Sequence, residues 1–319
     1  MIWAYLIHLG VNMWRKPQSD HFAIDSYFKE LPTEDKAWRE ITDFIAEKGF
    51  NTLVIDLGEG VRYESHPELA TKGAWSKEKL KTELQRLKSI GLTPIPKLNF
   101  ATIHDCWMGE YGSMPSTPTY YKVVADLIDE VIELFDTPKY FHLGMDEEPY
   151  DPNENLDFIQ MQEKYGITLC RPNKLYFEDI NFMADCCLKK GVRPWIWGDC
   201  ARALPEETIK YLSRDILVSP CYYRSWRQRE LLNYPFFTTA YNAHFIFAEN
   251  GFEQVPTSAT YITSVSPDDM MFFMKDQPGV KGYMTVPWYR TREIDILKHK
   301  AEAKVFSIAK NKYYKEDFK

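Results

Sequence analysis

Three consecutive carboxylates stand directly after a short apolar run of the chain. The run, YFHLGM at 140–145, alternates like a half-buried strand, and Asp146, Glu147 and Glu148 follow it. Burial and mutual repulsion disfavour ionising two such neighbours, so one keeps its proton near neutral pH while the other stays charged. That combination suits acid–base chemistry. The pattern therefore indicates a catalytic acid at a strand end, although a solvated acidic loop has the same residue types.

Eight strand-like segments recur along the chain and alternate with helix-like ones. The predicted strands are 2–9, 51–57, 92–98, 140–145, 192–197, 216–219, 236–240 and 282–287. The predicted helices include 33–48, 77–89, 120–135, 174–190 and 291–309. Gly49, Gly91 and Gly191 follow three of these helices, as the left-handed end of a helix prefers.

Eight β-then-α units predict an α/β fold, a (β/α)8 TIM barrel that forms a single domain over residues 1–319. Strands that are apolar almost throughout suit a parallel sheet covered on both faces. The rival is an open doubly wound sheet, which usually carries a glycine-rich phosphate loop. The nearest candidate, LGEG at 57–60, lacks the third glycine because Tyr63 stands in its place. No linker-like or low-complexity stretch divides the chain.

The polar residues at the predicted strand ends favour a carbohydrate pocket, because active sites of this fold collect at the carboxyl ends of the strands. Besides the acids, these ends carry Asn12, Arg15, Asp56, Glu59, Asn99, His104, Trp197, Asp199, Tyr222, Tyr223, Tyr241, Asn242, Trp288 and Arg290. Sugars present flat apolar faces edged by hydroxyl groups, which tryptophan rings and carboxylates hold well. Aromatics make up 15% of the chain, however, so many of them must simply fill the core.

Three of these segments resemble glycoside hydrolase family 20, the β-N-acetylhexosaminidases. HLGMDE at 142–147 resembles the family's H-x-G-x-D-E signature, which lies at the fourth strand of a (β/α)8 barrel. PWIWGD at 194–199 and GYMTVPW at 282–288 resemble the segments at the fifth and eighth strands. The similarity runs over essentially the whole chain, in the manner of members that consist of one barrel.

The resemblance implies a retaining hydrolysis of terminal β-linked N-acetylhexosamine in which the substrate's own acetamido oxygen attacks the anomeric carbon. Glu147 would protonate the leaving group and later activate water, while ionised Asp146 would orient the acetamido group. Tyr241 would donate to the acetamido oxygen. The other predicted substrate contacts are His142, Trp197, Asp199, Tyr222, Trp288 and Arg290.

The chain departs from the family pattern where the outer sugar hydroxyls would be held. Arg15 lies a few residues late for the arginine expected after the first strand, and Arg290 stands where a glutamate is usual. PKLN at 96–99 replaces P-E-x-D, and His104 lies at a different offset from the usual histidine. The preference between the gluco and galacto epimers, the substituents and the aglycone stay open.

Two other functions remain as alternatives. A metal-dependent sugar isomerase or hydrolase would use acids and histidines from several strand ends, namely His104, Asp105, Glu148, Asp199 and His244. No HExxH motif or close histidine pair supports it, so no metal or other cofactor is expected. The second alternative is a barrel that binds sugar without turnover. The costly carboxylate pair argues against that.

Charge, cysteines and hydropathy limit the partners and the location. The net charge of -7, with no basic block, argues against nucleic acid or an anionic membrane and suits a small carbohydrate or glycoconjugate substrate. The six cysteines form no CxxC pair, so we expect reduced, mostly buried thiols. Without a leader-like start or a membrane-length apolar run, a cytoplasmic location is expected, although a secreted chain trimmed of its leader would look the same. The oligomeric state is open.

Overall fold

Eight parallel strands and the helices between them make up the described part of the protein. The structure, a computed structural model, describes residues 1–13, 28–148 and 171–314. The strands are β1 (Ile2–His8), β2 (Thr52–Asp56), β3 (Thr93–Lys97), β4 (Tyr140–His142), β5 (Arg193–Trp197), β6 (Leu217–Ser219), β7 (Thr257–Ser258) and β8 (Gly282–Thr285). The α-helices are α1 (Asp35–Glu47), α2 (Lys77–Ser89), α3 (Pro118–Leu134), α4 (Asn173–Lys189), α5 (Asp199–Ala203), α6 (Pro205–Tyr211), α7 (Pro235–Glu249), α8 (Ser266–Met274) and α9 (Ile296–Tyr313).

The strands close into a barrel with one weaker joint. Neighbouring strands pair in the order β6-β5-β4-β3-β2-β1-β8-β7, and every pair is parallel. Isolated bridges from Val218 to Gln254 and from Cys221 to Thr257 then join the β6 side to the β7 side. The predicted (β/α)8 barrel is therefore confirmed.

Two apolar cores lie on the two faces of the sheet. Inside the barrel, alternate strand positions fill the interior with Ala4, Leu6, Val54, Ile95, Tyr140, Trp195, Trp197, Leu217, Val255, Met284 and Val286. The outward strand positions pack against the surrounding helices in a larger core. Because both faces are covered, the strands are apolar almost throughout, which is the pattern that predicted them.

One predicted strand is wrong. Residues 236–240 lie in helix α7, and the seventh strand is the two-residue β7 at Thr257–Ser258. The run PFFTT is rich in aromatic and β-branched residues and so resembles a strand. However, Pro235 occupies the first turn of the helix, and the buried positions Ala240, Ala243 and Phe247 recur with helical spacing. A polar two-residue strand carries no comparable sequence signal.

The other predicted strands are confirmed, with small changes at their ends. Gly49, Gly91 and Gly191 have φ values of 81°, 87° and 74°, as expected for glycines after helices. The described residues contain no helix that is both long and apolar enough to cross a membrane. Five of the six cysteines lie in the described ranges and are free thiols, whereas Cys170 lies outside those ranges.

Candidate active site

The backbone turns sharply between β4 and the acidic residues. Gly144, Met145 and Glu147 have φ values of 72°, 67° and 56°, and left-handed backbone costs non-glycine residues on the order of 1–3 kcal/mol each. At Gly144 a Cβ atom would come within 2.0 Å of Asn99 Oδ1. Hydrogen bonds hold the turn, because the Met145 N–H donates to Asn99 Oδ1 at 3.2 Å and the Tyr176 hydroxyl donates to the Met145 carbonyl at 2.7 Å.

Asp146 is buried and bound by two groups from the loop that follows β3. Asn99 Nδ2 donates to its Oδ1 at 2.7 Å, and His104 Nδ1 lies 3.2 Å from its Oδ2. Burial by itself would raise the pKa of Asp146, but the charge of His104, the hydrogen bonds and the charge of Lys97 outweigh it and hold the pKa well below the usual range. Asp146 is therefore an anion at neutral pH.

Glu147 shares the same imidazole but faces solvent. Its side chain is 50% exposed, and its Oε2 lies 3.4 Å from His104 Nε2. Burial would lower the pKa of His104, yet Asp146 and Glu147 together raise it to about 10. An imidazolium thus lies between the two carboxylates. This arrangement leaves Glu147 accessible and Asp146 fixed.

Glu148 anchors the turn and does not face the pocket. It is buried, and the guanidinium of Arg171 binds both of its oxygens, with Nε at 2.6 Å from Oε1. The backbone N–H of Thr102 also donates to it at 2.7 Å. Arg171 in turn binds Asp179 at 2.8 Å. A buried, fully paired ion cluster therefore fixes the chain immediately after the two acids.

The tryptophans Trp197 and Trp288 lie side by side, with Trp197 buried in the inner core of the barrel and Trp288 packed against that core. Their ring centroids are 6.1 Å apart, and each indole Nε1 is buried with no hydrogen-bond partner among residues 1–13, 28–148 and 171–314. His142 packs against Trp197 at 4.9 Å and is fully buried. His142 Nδ1 also accepts a hydrogen bond from the Gly144 N–H at 3.1 Å, so His142 supports both Trp197 and the turn after β4.

Asp199 is a third buried carboxyl group near the acids. It begins α5 directly after β5 and lies 3.6 Å from the guanidinium of Arg202. Burial, together with the charges of Asp146 and Glu147, raises its pKa to about 7 against the opposing effect of Arg202. Asp199 is therefore partly protonated at neutral pH and can donate a hydrogen bond.

The structure places two predicted contacts away from these residues. Tyr241 lies on α7, not at a strand end, and its ring packs against Trp226 at 5.1 Å. Tyr222 packs against the same Trp226 at 5.8 Å. The premise for Tyr241 failed because the seventh strand was predicted 21 residues too early, at 236 in place of 257. Arg290 stacks on Phe28 with 4.3 Å between its guanidinium carbon and the ring centroid.

Two tyrosines that the sequence did not single out as contacts line the mouth instead. Tyr261 follows β7, and Tyr223 follows β6, with 5.6 Å between their rings. Tyr223 also lies 6.4 Å from Trp288. Burial raises the pKa of Tyr261, and Cys221 and the charge of Glu147 add to the rise. A correct prediction of β7 would have identified Tyr261 as a candidate, because Tyr261 follows that strand.

The residues of the metal alternative do not meet. Glu148 is bound by Arg171, and His244 lies on α7, where its Nδ1 is 3.1 Å from the carbonyl of Ala240. Among the residues that the structure describes, no group of three or more histidines, cysteines or acids could hold a metal ion. Arg15 lies outside the described residues.

The site thus combines two adjacent acids with paired tryptophans at the carboxyl ends of the strands, which is where active sites of (β/α)8 barrels lie. A family model described as "Glycosyl hydrolase family 20, catalytic domain" matches residues 96–234. No curated protein matches by sequence. This match includes the acidic turn after β4 and supports the resemblance to glycosyl hydrolase family 20 that the sequence predicted.

Solved structures share the fold over most of the chain. The β-N-acetylhexosaminidase from Bacteroides fragilis NCTC 9343 matches with 15% identity and a TM-score of 0.61, covering 94% of this chain and 65% of that one. The chitobiase of Flavobacterium johnsoniae matches with 18% identity and a TM-score of 0.57, covering 94% and 52%. Dispersin B matches with 14% identity and a TM-score of 0.55, covering 87% and 94%. The chain thus spans between half and two thirds of the length of the first two structures.

Proposed function

We propose that the protein removes terminal β-linked N-acetylhexosamine from a glycan or glycoconjugate, with retention of configuration and with the substrate's acetamido group as the nucleophile. The observation that carries this proposal is the His104 imidazolium shared by buried Asp146 and half-exposed Glu147. A buried anion beside an accessible acid is what this chemistry needs, since one group balances the charge of the oxazolinium and the other transfers protons.

Each neighbouring residue has a role in this proposal. Glu147 protonates the glycosidic oxygen and then activates water, and Asp146 orients the acetamido N–H. Tyr261 donates to the acetamido oxygen, the role first predicted for Tyr241, because it follows β7 and lies near the charge of Glu147. Trp197 and Trp288 wall the sugar ring.

The state of Asp199 favours substrate assistance over an ordinary double displacement. A retaining enzyme of the ordinary kind needs a second, ionised carboxylate as nucleophile, about 5 Å from the acid. Asp146 and Glu147 contact one imidazole and are adjacent in the chain, so they do not flank a sugar. Asp199 is another buried carboxyl group near the two acids, and its pKa of about 7 makes it a poor nucleophile at neutral pH.

A substrate panel tests the proposal. We expect hydrolysis of p-nitrophenyl N-acetyl-β-glucosaminide or its galacto epimer and none of the β-glucoside without the acetamido group. A thiazoline fused to N-acetylglucosamine should inhibit far more strongly than glucose, because it mimics the cyclic intermediate. Cleavage of the plain glucoside, with a covalent 2-fluoroglycosyl adduct on Asp146 or Asp199, would instead show a carboxylate nucleophile.

Replacement of the acid gives the second test. Glu147→Gln should lower kcat by about 10²- to 10⁴-fold on substrates with poor leaving groups and much less on activated aryl glycosides. Glu110→Gln changes another glutamate in the loops after β3 and serves as a control that should stay active. Equal activity of Glu147→Gln and the wild type would remove Glu147 from the mechanism.

A further inference from the structure

A buried glutamate outside the pocket ties three segments of the chain together. Glu302 lies on the inner face of α9 and is fully buried. It accepts hydrogen bonds from the Thr260 backbone N–H at 2.9 Å and from the Thr260 hydroxyl. The hydroxyl of Thr285, the last residue of β8, also donates to it. Helix α9 is thereby joined to the strand β8 and to the loop that follows β7.

The surroundings of Glu302 are unusual for a side chain that only fills space. Within the described ranges, no lysine, arginine or histidine forms an ion pair with it, so its charge is balanced by neutral donors alone. Burial raises its pKa to about 7, and the bonds from Thr260 and Thr285 oppose that rise. A buried carboxylate without a cation is costly. An apolar side chain would fill the same space at a lower cost.

The position of Thr260 in the chain suggests a role for the costly burial of Glu302. Thr260 directly precedes Tyr261, so fixing the N–H and hydroxyl of Thr260 limits the positions that the backbone of Tyr261 can take. The anchor on the other side, Thr285, lies three residues before Trp288 of the pocket wall. Glu302 therefore fixes the position of the loop after β7 relative to β8.

We infer that Glu302 is a positioning residue for the hydrolysis and acts by holding Tyr261 in place beside Tyr223, which lies next to Trp288 of the pocket wall. This inference rests on the proposed function. A misplacement of about 1 Å in a catalytic donor lowers the rate by up to about 100-fold. Glu302 therefore affects the rate of hydrolysis although it does not contact the substrate.

A double-mutant cycle tests the inference on an N-acetyl-β-hexosaminide. Glu302→Gln should lower kcat by about 10-fold or more while KM changes less, because the donor is needed most in the transition state. In a Tyr261→Phe background, Glu302→Gln should have little further effect. Multiplying effects of the two changes would show that Glu302 does not act through Tyr261 and would overturn the inference.

Two further variants separate positioning from stability. Thr260→Val removes only one donor and should lower kcat in the same direction by less, which keeps the test open if Glu302→Gln folds poorly. Glu83→Gln is the matched control, since Glu83 is a buried glutamate on α2 that binds Trp38 and Arg86. It should lower the melting temperature without a selective loss of kcat. A kcat loss equal to that of Glu302→Gln would point to general destabilisation and against positioning.

Amide hydrogen exchange provides a readout that needs no activity. The Thr260 amide should exchange much faster in Glu302→Gln than in the wild type, with the centre of α9 unchanged. If the wild type hydrolyses no N-acetylhexosaminide but the exchange changes as expected, the proposed function fails and the anchor stands. Unchanged exchange at residues 259–262 would overturn the anchor itself.

Discussion

A single imidazolium organises the candidate site at the scale of residues. His104 contacts a carboxylate with each of its ring nitrogens, so its positive charge relieves the repulsion between Asp146 and Glu147. Asn99 completes the arrangement by donating to Asp146 and by accepting the Met145 N–H. The two acids therefore keep different tasks although they are neighbours in the chain.

The charge of His104 should appear in the pH dependence of stability. Its pKa is about 10 in the folded protein, against an ordinary histidine value of 6.5, so its contribution is fully present below about pH 6.5 and is lost as the pH rises to about 10. We expect the free energy of unfolding in urea to fall across this range. In His104→Gln the decline should be much weaker. If the free energy of unfolding falls equally in the wild type and in His104→Gln, titrating groups other than His104 cause the fall.

Two tyrosines provide a matched pair of substitutions. Tyr261→Phe should lower kcat on N-acetylhexosaminides by about 10²-fold, the size expected for loss of one donor to a developing charge. Tyr241→Phe should leave kcat within about twofold, because Tyr241 lies on α7 in the cluster around Trp226. Steady-state kinetics of both variants test this prediction. If Tyr241→Phe lowers kcat and Tyr261→Phe does not, the role returns to Tyr241.

The sequence predicted the part of the site that is contiguous in the chain. Asp146 and Glu147 follow a recognisable strand, and Trp197 and Trp288 end two others. His104 lies in a loop with no periodic pattern, and its bridging position depends on how β3 and β4 sit beside each other. Tyr261 could not be placed without β7, whose two polar residues give no signal. Contacts between distant segments were thus the unpredictable part.

At the scale of elements, the turn after β4 depends on a buried ion cluster. Arg171 binds Glu148 and Asp179, and all three side chains are buried. The hydroxyl of Ser116 adds a bond of 2.7 Å to Asp179, which extends the cluster towards α3. The left-handed residues Met145 and Glu147 persist because this cluster and Asn99 hold the chain on both sides of them.

Removal of the central cation should therefore be costly. Arg171→Met leaves two buried carboxylates without a partner, and we expect it to lower the free energy of unfolding by about 3–5 kcal/mol. The exposed pair Lys174 and Glu178 gives the control, because Lys174→Met should change stability by less than about 1 kcal/mol. Chemical denaturation measures both. Equal effects would mean that the buried cluster contributes no more than a surface pair.

Secondary structure was predictable where periodicity was sustained. The helices α1 to α4 and seven of the eight strands follow from the spacing of apolar residues and from glycines at helix ends. The first turn of helix α7 was mistaken for a strand because PFFTT has strand-like composition. Its helical structure depends on the burial of Ala240, Ala243 and Phe247 against the rest of the barrel, and local composition does not reveal that tertiary packing.

At the scale of the whole molecule, the barrel alone assembles the candidate site. Its groups come from the ends of β3, β4, β5, β6, β7 and β8, and this chain covers most of Dispersin B while spanning 65% of the Bacteroides fragilis structure. The described residues of the candidate site therefore lie at the strand ends and in the loops that follow them.

The weaker joint between β6 and β7 has a mechanical consequence. A closed ring opens more easily at a joint with few hydrogen bonds, and this joint consists of a few backbone bonds, such as Val255 N–H to the Val218 carbonyl at 2.8 Å. Tyr223 and Tyr261 stand on opposite sides of that joint. Spreading at this joint would therefore part the two tyrosines. Under the proposed function, it would widen the sugar pocket on the side of Tyr261, where a longer glycan would have to leave the pocket.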